Sequence, residues 1–465
     1  MKEPRNFVFW AIGILGGTAI LAALAVLLVI NHERQQLKEY RAYLMKRGEK
    51  LTIEELIPAK PSEPNKAAED LISAVLELSA DKKFQERKKI SSGKSTKAGE
   101  ADVVHRLPKA PGRYAVESPW ADAAAAMAGW EPLLERIRQA TQTPSPDFAP
   151  NFGATAPFQT LSAIRVVARL LGEAAILKLH EGKASAATRD VVALLRIIRM
   201  LERQPHYYGQ SPALSLTCIA QGATWEILQA SGLDGAELAS LQNAWQELNP
   251  REKIKPLLQT ARAMAEREFS NIGEAGGRPQ PIYFDIWELA FRDYDERATL
   301  TDYQNLLDQA PGPDGNWQPF LKTADRIQKT NAGTFSRYYS NSTTPLSRGY
   351  FANVSARETI RALAIAAIAL HRYQLDHDGA LPASLAELCP QYLAEVPLDP
   401  MDGKPLRYLP KEDGTYRLYS AGTDGVDDGG DASSTTPGDF YYLLDRSEGN
   451  ISSRKDLVWP MAASP

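Results

Sequence analysis

The stretch GEAAILKLHEGKASAATRDVVALLRIIRML, Gly172 to Leu201, decides the fold class. Its apolar residues do not alternate as they would along a strand. Val191, Leu194, Ile197, Ile198 and Leu201 recur three and four apart, which places them on one face of a helix. Gly182 falls where the chain would reverse between two helices, and Ala174, Ala175 and Ala187 are small enough for paired helices to approach closely.

The same spacing runs outward from this pair. Leu161, Ile164, Val167, Leu170 and Leu171 form an apolar stripe upstream, and separate helix starts can be read from capping chemistry. Ser118 precedes Pro119, Asp234 is followed by Glu237, and Asn249-Pro250 is followed by Glu252. Gly172 to Leu201 is similar to a helix-turn-helix repeat of the tetratricopeptide kind, but neither a constant period nor the full signature recurs. Residues 118–354 therefore read as an irregular helical array or bundle, a surface suited to docking a protein partner.

Catalytic patterns are sparse in this region. His180, His206, His371 and His377 do not form a metal-binding HExxH spacing, and no GxSxG, Walker or dinucleotide motif is present. Ser91 and Lys94 spell SxxK in a polar loop without the partner motifs that chemistry needs. Trp287, Phe291, Tyr294 and Tyr303 beside Asp293, Asp295 and Glu296 read as core with an acidic rim. The alternative is a pocket among the helices belonging to an envelope hydrolase.

Toward the N-terminus, FVFWAIGILGGTAILAALAVLLVI (Phe7 to Ile30) carries no charge. A helix needs about 20 apolar residues to cross a bilayer, and a secretory leader has an apolar stretch of only about 7 to 15. Residues 1–30 therefore read as a transmembrane signal-anchor. Gly13 and Gly17 have the GxxxG spacing of some paired membrane helices, which composition alone also produces. Residues 31–117 read as stalk and linker: a helix to Ile57, then Pro58, Pro61 and Pro64, a short helix from Ala67 to Leu78, and the basic stretch Lys82 to Gly99. That stretch reads as a solvated loop, or as a contact for anionic lipid.

No strong basic or acidic imbalance points to nucleic acid: 24% of residues are charged, with a formal net charge of −4. Cys218 and Cys389 allow one bridge or two free thiols.

Toward the C-terminus, Ala356 to His377 is an alanine-rich helix with Ile360, Leu363, Ala367 and Leu370 on one face, stopping at Asp378-Gly379. Ser384 and Glu387 form a capping box. Leu406 and Tyr408, then Tyr416, Leu418 and Ser420, alternate around a KEDG turn, and a last strand is expected over Phe440 to Leu444. Between them lies the Asp- and Gly-rich stretch AGTDGVDDGGDASSTTPGD.

The helix end HRYQLDHDGALPASLAEL, then VPLDPMDGKPLRYL (Val396 to Leu409), then YRLYSAGTDGVDDGG (Tyr416 to Gly430), resemble in order the globular domain of the major pseudopilin family of type II secretion. That resemblance implies a helix packed on an antiparallel sheet over 355–445, followed by a tail over 446–465. It also implies a structural calcium ion held by Asp424 and Asp439, with Asp427, Asp428 and Asp431 as alternates. Calcium takes six to eight oxygens, which a loop of carboxylates and glycines can supply. The glutamate and leader motif of pseudopilins are missing from the N-terminal segment, so the resemblance supports a shared domain and not a place in a filament. The whole chain resembles membrane-anchored bacterial envelope proteins, which implies no activity.

The basic residues Arg34, Lys38, Arg41, Lys46, Arg47 and Lys50 after the span would hold the bulk in the cytoplasm. A weak calcium loop fills only outside it, at about 0.1 to 1 mM. The expectation is a mainly α protein with a small α+β C-terminal domain, held by a single N-terminal transmembrane helix in the cytoplasmic membrane. Its bulk is expected in the periplasm, and its role is expected to be binding or structural.

Overall fold

The structure is a computed structural model describing residues 5–56, 66–82, 120–142, 156–203, 207–230, 232–272, 281–312, 315–343, 348–431 and 455–459. The helices, in chain order, are α1 (Arg5–Lys46), α2 (Ile53–Leu56), α3 (Lys66–Ala80), α4 (Trp120–Gln142), α5 (Ala156–His180), α6 (Ala184–Glu202) and α7 (Tyr207–Ile227). They continue with α8 (Gly235–Gln246), α9 (Pro250–Ser270), α10 (Ile282–Asp308), α11 (Gln318–Asn331), α12 (Tyr338–Thr343) and α13 (Arg348–Asp376). Strands β1 (Arg407–Pro410), β2 (Tyr416–Ser420) and β3 (Leu457–Val458) follow. The chain is mainly helical with one small antiparallel sheet, and it divides into two compact units.

The first unit comprises 1–59, 255–309 and 323–347. Helix α1 runs 42 residues without a break, past the end of the apolar segment and into the folded unit. There Leu37, Leu44 and Leu51 bury against Leu300 of α10. It ends eleven residues earlier than the stalk helix expected to Ile57. The Gly48 amide donates to Met45 O and the Glu49 amide to Leu44 O, a pairing that needs the left-handed φ of +79° at Gly48.

Charged pairs join α1 to α10 along their length: Arg34 with Asp293 at 3.4 Å, Glu33 with Arg297 at 2.7 Å, Arg41 with Glu296, and Arg47 with Asp308 at 3.0 Å. From Arg34 with Asp293 to Arg47 with Asp308, numbering rises on both helices, so the two run parallel.

The span expected over Phe7 to Ile30 lies within α1, but many of its side chains are outside the described residues. Among the described residues, no helix is long and apolar enough to cross a membrane. The basic stretch Lys83 to Gly99, with Ser91 and Lys94, also lies outside them.

The second unit comprises 60–254, 310–322 and 348–465, and one hydrophobic core runs through α3 to α8, α13 and the sheet. The expected helical pair is present as α5 and α6, with Ala174, Ala175 and Ala187 buried between neighbours. Helix α7 packs so closely on α5 that a Cβ at Gly172 would lie 2.4 Å from an Ile219 methyl. Arg138 of α4 and Lys178 of α5 both bind Asp190 of α6, at 2.5 and 2.7 Å, and so clamp three helices through one buried carboxylate. The capping box of Asp234 and Glu237 forms as expected at the start of α8.

Helix α13 departs from the sequence reading. Every residue from Ala362 to Leu370 is buried, so the helix is enclosed on all sides and not on one face. It packs on α7, α8 and the hairpin, and its apolar residues belong to the same core as α3 through α8. The stretch expected as a separate domain from residue 355 is thus continuous with the helices before it.

The expected hairpin forms, with Arg407 opposite Tyr419 and Tyr408 opposite Leu418. Ser384 makes no side-chain cap, and the expected short helix is a 3-10 turn, Leu385–Leu388, with Glu387 accepting from the Ala383 amide. The strand expected over Phe440 to Leu444 lies outside the described residues. The third strand, β3, comes instead from the stretch expected as tail, with Ser420 opposite Leu457. Cys218 and Cys389 are not bridged to each other.

Candidate functional site

The acidic loop leaves β2 at Ser420 and is closed from two sides. On one side stands Asp399, fully buried in the turn before β1. Its Oδ1 accepts from the Met401 amide at 2.9 Å and the Ser420 hydroxyl at 2.6 Å, and its Oδ2 accepts from the Ala421 amide at 2.8 Å. Arg407 of β1 donates to Asp399 and Asp402 through Nη1 and Nη2, and to Asp427 Oδ2 through Nε at 3.1 Å. One guanidinium therefore ties three carboxylates from the turn, the strand approach and the loop.

On the other side stands Asp456, buried immediately before β3. Its carboxylate accepts from the backbone amides of Asp428, Gly430 and Asp431 at 3.4, 2.8 and 3.1 Å. Three loop amides gathered on one carboxylate help to fix the loop's path.

The expected calcium ligands occupy different settings. Asp424 is exposed, and its Oδ1 accepts from the Val426 amide two residues on, at 3.0 Å. Asp427 binds the Gly429 amide and Arg407, which hold its carboxyl below the usual carboxylate range. Asp428 is exposed, and Asp431 pairs with Lys455 at 3.0 Å. Asp439 lies outside the described residues. Among the described residues, no group of three or more His, Cys, Asp or Glu is placed to hold a metal ion. The described loop is closed by amides and cations.

Asp399, Arg407 and Asp456 do not stand out in the sequence as site residues. Asp399 sits between Leu398 and Pro400 in a stretch that reads as a turn, where an aspartate is ordinary. Its one signal is its place within the VPLDPMDGKPLRYL match.

The acidic and aromatic group of the first unit is built differently from its expected form. Trp287 and Tyr303 are buried as core, and Trp287 stacks on Tyr339 at 5.5 Å between ring centres. Asp295 and Glu296, expected on a rim, are buried too, because each has an internal cation. Asp295 pairs with Arg337 at 3.1 Å and accepts from the Tyr339 and Ser340 amides. Glu296 pairs with Arg41. Burial, with help from Glu266 and Asp293, pushes the Glu296 carboxyl up to about 7 against the pull of Arg41.

A cavity of 390 Å³ is lined by Asp293 together with Ile30, Glu33, Arg34, Asp285, Glu288, Leu289, Ala290 and Arg292. Asp295 and Glu296 are not among its lining residues. The two buried carboxylates are bound to arginines.

No family model, curated protein or solved structure matches the chain.

Proposed function

We propose that the protein is a single-pass membrane-anchored envelope protein whose folded mass lies outside the cytoplasmic membrane and has a binding or structural role. The observation that carries this reading is the continuity of α1. The charge-free segment Phe7 to Ile30 and the packed residues Leu37 and Leu44 follow one another without a break in the helix up to Lys46. A cleaved leader needs a separable junction after its apolar stretch. Here the ion pairs from Glu33 to Arg47 fasten α1 to α10 directly beyond it. The exposed Leu21, Leu24, Leu27 and Leu28 are suited to an apolar solvent.

The helical surfaces dock the partner in this reading, and the resemblance of the hairpin module makes secretion machinery the first place to seek it. The test is alkaline extraction of membranes from cells carrying the full chain, with a compartment-sensitive reporter fused after Pro465. Retention in the membrane with an extracytoplasmic reporter is expected. Release by alkali, or a cytoplasmic reporter, overturns the proposal.

A second reading attaches to the Asp-Gly loop. The exposed carboxylates of Asp424 and Asp428, on a loop crowded with further acids, favour a calcium ion held there as the pseudopilin resemblance implies. Melting of the full chain in calcium and in chelator tests it. A rise in Tm with calcium that Asp424→Ala removes is expected, and an unchanged Tm sinks it.

A further inference from the structure

Toward its N-terminus α1 changes from charged residues paired with α10 to apolar ones, and α10 leaves apolar side chains open beside that change. On the C-terminal side of the change stand the pairs of Glu33 with Arg297 and Arg34 with Asp293. At the change itself, Ile30 and Leu289 line the same cavity. On the N-terminal side, α1 exposes Ile20, Leu21, Leu24, Val26, Leu27, Leu28 and Val29. The first two turns of α10 there expose Ile282, Tyr283, Ile286 and Leu289, by 77, 46, 52 and 70%.

Ile282, Ile286 and Leu289 are spaced four and three apart, which places them on one helix face. Asp285, which is exposed at the edge of that face, and Glu288 line the cavity with Leu289, Arg34 and Arg292. Three large aliphatic side chains left open on one face at a helix start form an apolar patch of the kind that marks an interaction surface, with Tyr283 beside it packed edge-on against Tyr338.

We propose that the first two turns of α10 are a foot that seats in the bilayer interface beside the point where α1 enters it. This rests on the anchor reading. The occupant is lipid because α10 runs parallel to α1 and its patch lies alongside the start of α1's apolar stretch, so whatever solvates one meets the other. From Leu289 back to Ile282 is about 10 Å at a rise of about 1.5 Å per residue. That matches the roughly 5 to 10 Å to which amphipathic segments bury in the headgroup and acyl boundary. Tyr283 has the amphipathic ring that favours this depth. A foot of this kind would fix the tilt and rotation of the first unit on the membrane, which a single helix alone leaves free.

The test uses the full chain in phosphatidylethanolamine and phosphatidylglycerol vesicles, with Cys218 and Cys389 replaced by alanine. An environment-sensitive fluorophore is attached in turn to Leu24→Cys, Ile286→Cys, Leu289→Cys and the exposed Lys329→Cys as control. Lipids brominated at shallow or deep acyl positions serve as quenchers. The expected result is blue-shifted emission at 286 and 289 with most loss to shallow bromines, loss to deep bromines at 24, and no loss at 329.

Quenching at 24 without quenching at 286 or 289 overturns the foot and leaves the anchor standing. No quenching at 24 overturns the anchor, and the foot with it. Blue-shifted emission at 286 and 289 that bromines do not quench identifies a protein occupant, such as a second copy, and also overturns the foot. The labelled positions are exposed, and a far-UV spectrum equal to that of the unlabelled chain confirms that the fold is retained in each.

Discussion

Arg357 of α13 closes on Glu202 at the end of α6, across 155 residues of sequence, with both side chains 1% exposed. Glu202 also accepts from the Asn249 amide at 3.1 Å, so one buried carboxylate joins α6, the start of α9 and α13. Removing one partner of such a pair leaves an uncompensated charge in the interior. Arg357→Met is expected to cost about 3 to 5 kcal/mol in urea unfolding, and Glu202→Gln added to it is expected to recover much of that loss. A double variant no more stable than the single one would show that the buried charge is not the source of the cost.

The enclosure of α13 sets the next expectation. A fragment beginning at Ser355 would expose the side of Ala362 to Leu370 that rests on α7 and α8. A helix apolar all round needs cover all round. The fragment from Ser355 to Pro465 is expected to show no cooperative thermal transition by circular dichroism. A sharp two-state melt would show that the hairpin module is a domain in its own right.

These two relationships mark what the sequence could and could not convey. Helices α5, α6 and α8 were legible because periodicity and caps are local, and the Asp234 and Glu237 box forms as read. The hairpin was legible from alternation around its turn. The depth of α13 was not, because its alanines fit a surface helix and a buried one equally well. Nor was the burial of Asp295 and Glu296, which depends on Arg337 and Arg41 arriving from distant segments. For β3 the signal was two residues long, too short for any pattern.

The Glu296 carboxyl gives the first unit a pH dependence. Its folded-state value of about 7 lies above its ordinary value of 4.5, so the folded state binds the proton more tightly. The associated stability is full below about pH 4.5 and is lost as pH rises through 7, a total on the order of 3 kcal/mol. Glu296→Gln keeps an oxygen for Arg41 and has nothing to lose. It is expected to flatten the urea-midpoint profile between about pH 5 and 8 while matching the parent at low pH. Parallel profiles for the two proteins would refute this.

The acidic loop separates the residues that hold the fold from those that decorate it. Asp399→Ala would strand the amides of Met401 and Ala421, the Ser420 hydroxyl and part of Arg407, all where water is excluded. Each unsatisfied buried donor costs about 1 to 3 kcal/mol, so this variant is expected to lose at least about 3 kcal/mol. Asp424→Ala removes only an exposed contact to the Val426 amide, and without calcium is expected to fall within about 0.5 kcal/mol of the parent. Chemical denaturation of both in chelator compares them directly. Were Asp424→Ala the costlier change, the loop would owe its shape to its own carboxylates, and the closure by Asp399, Arg407 and Asp456 would be incidental. The expected order places the support for the loop in the turn before β1 and the residue before β3, which leaves Asp424 and Asp428 free to act on something outside the fold.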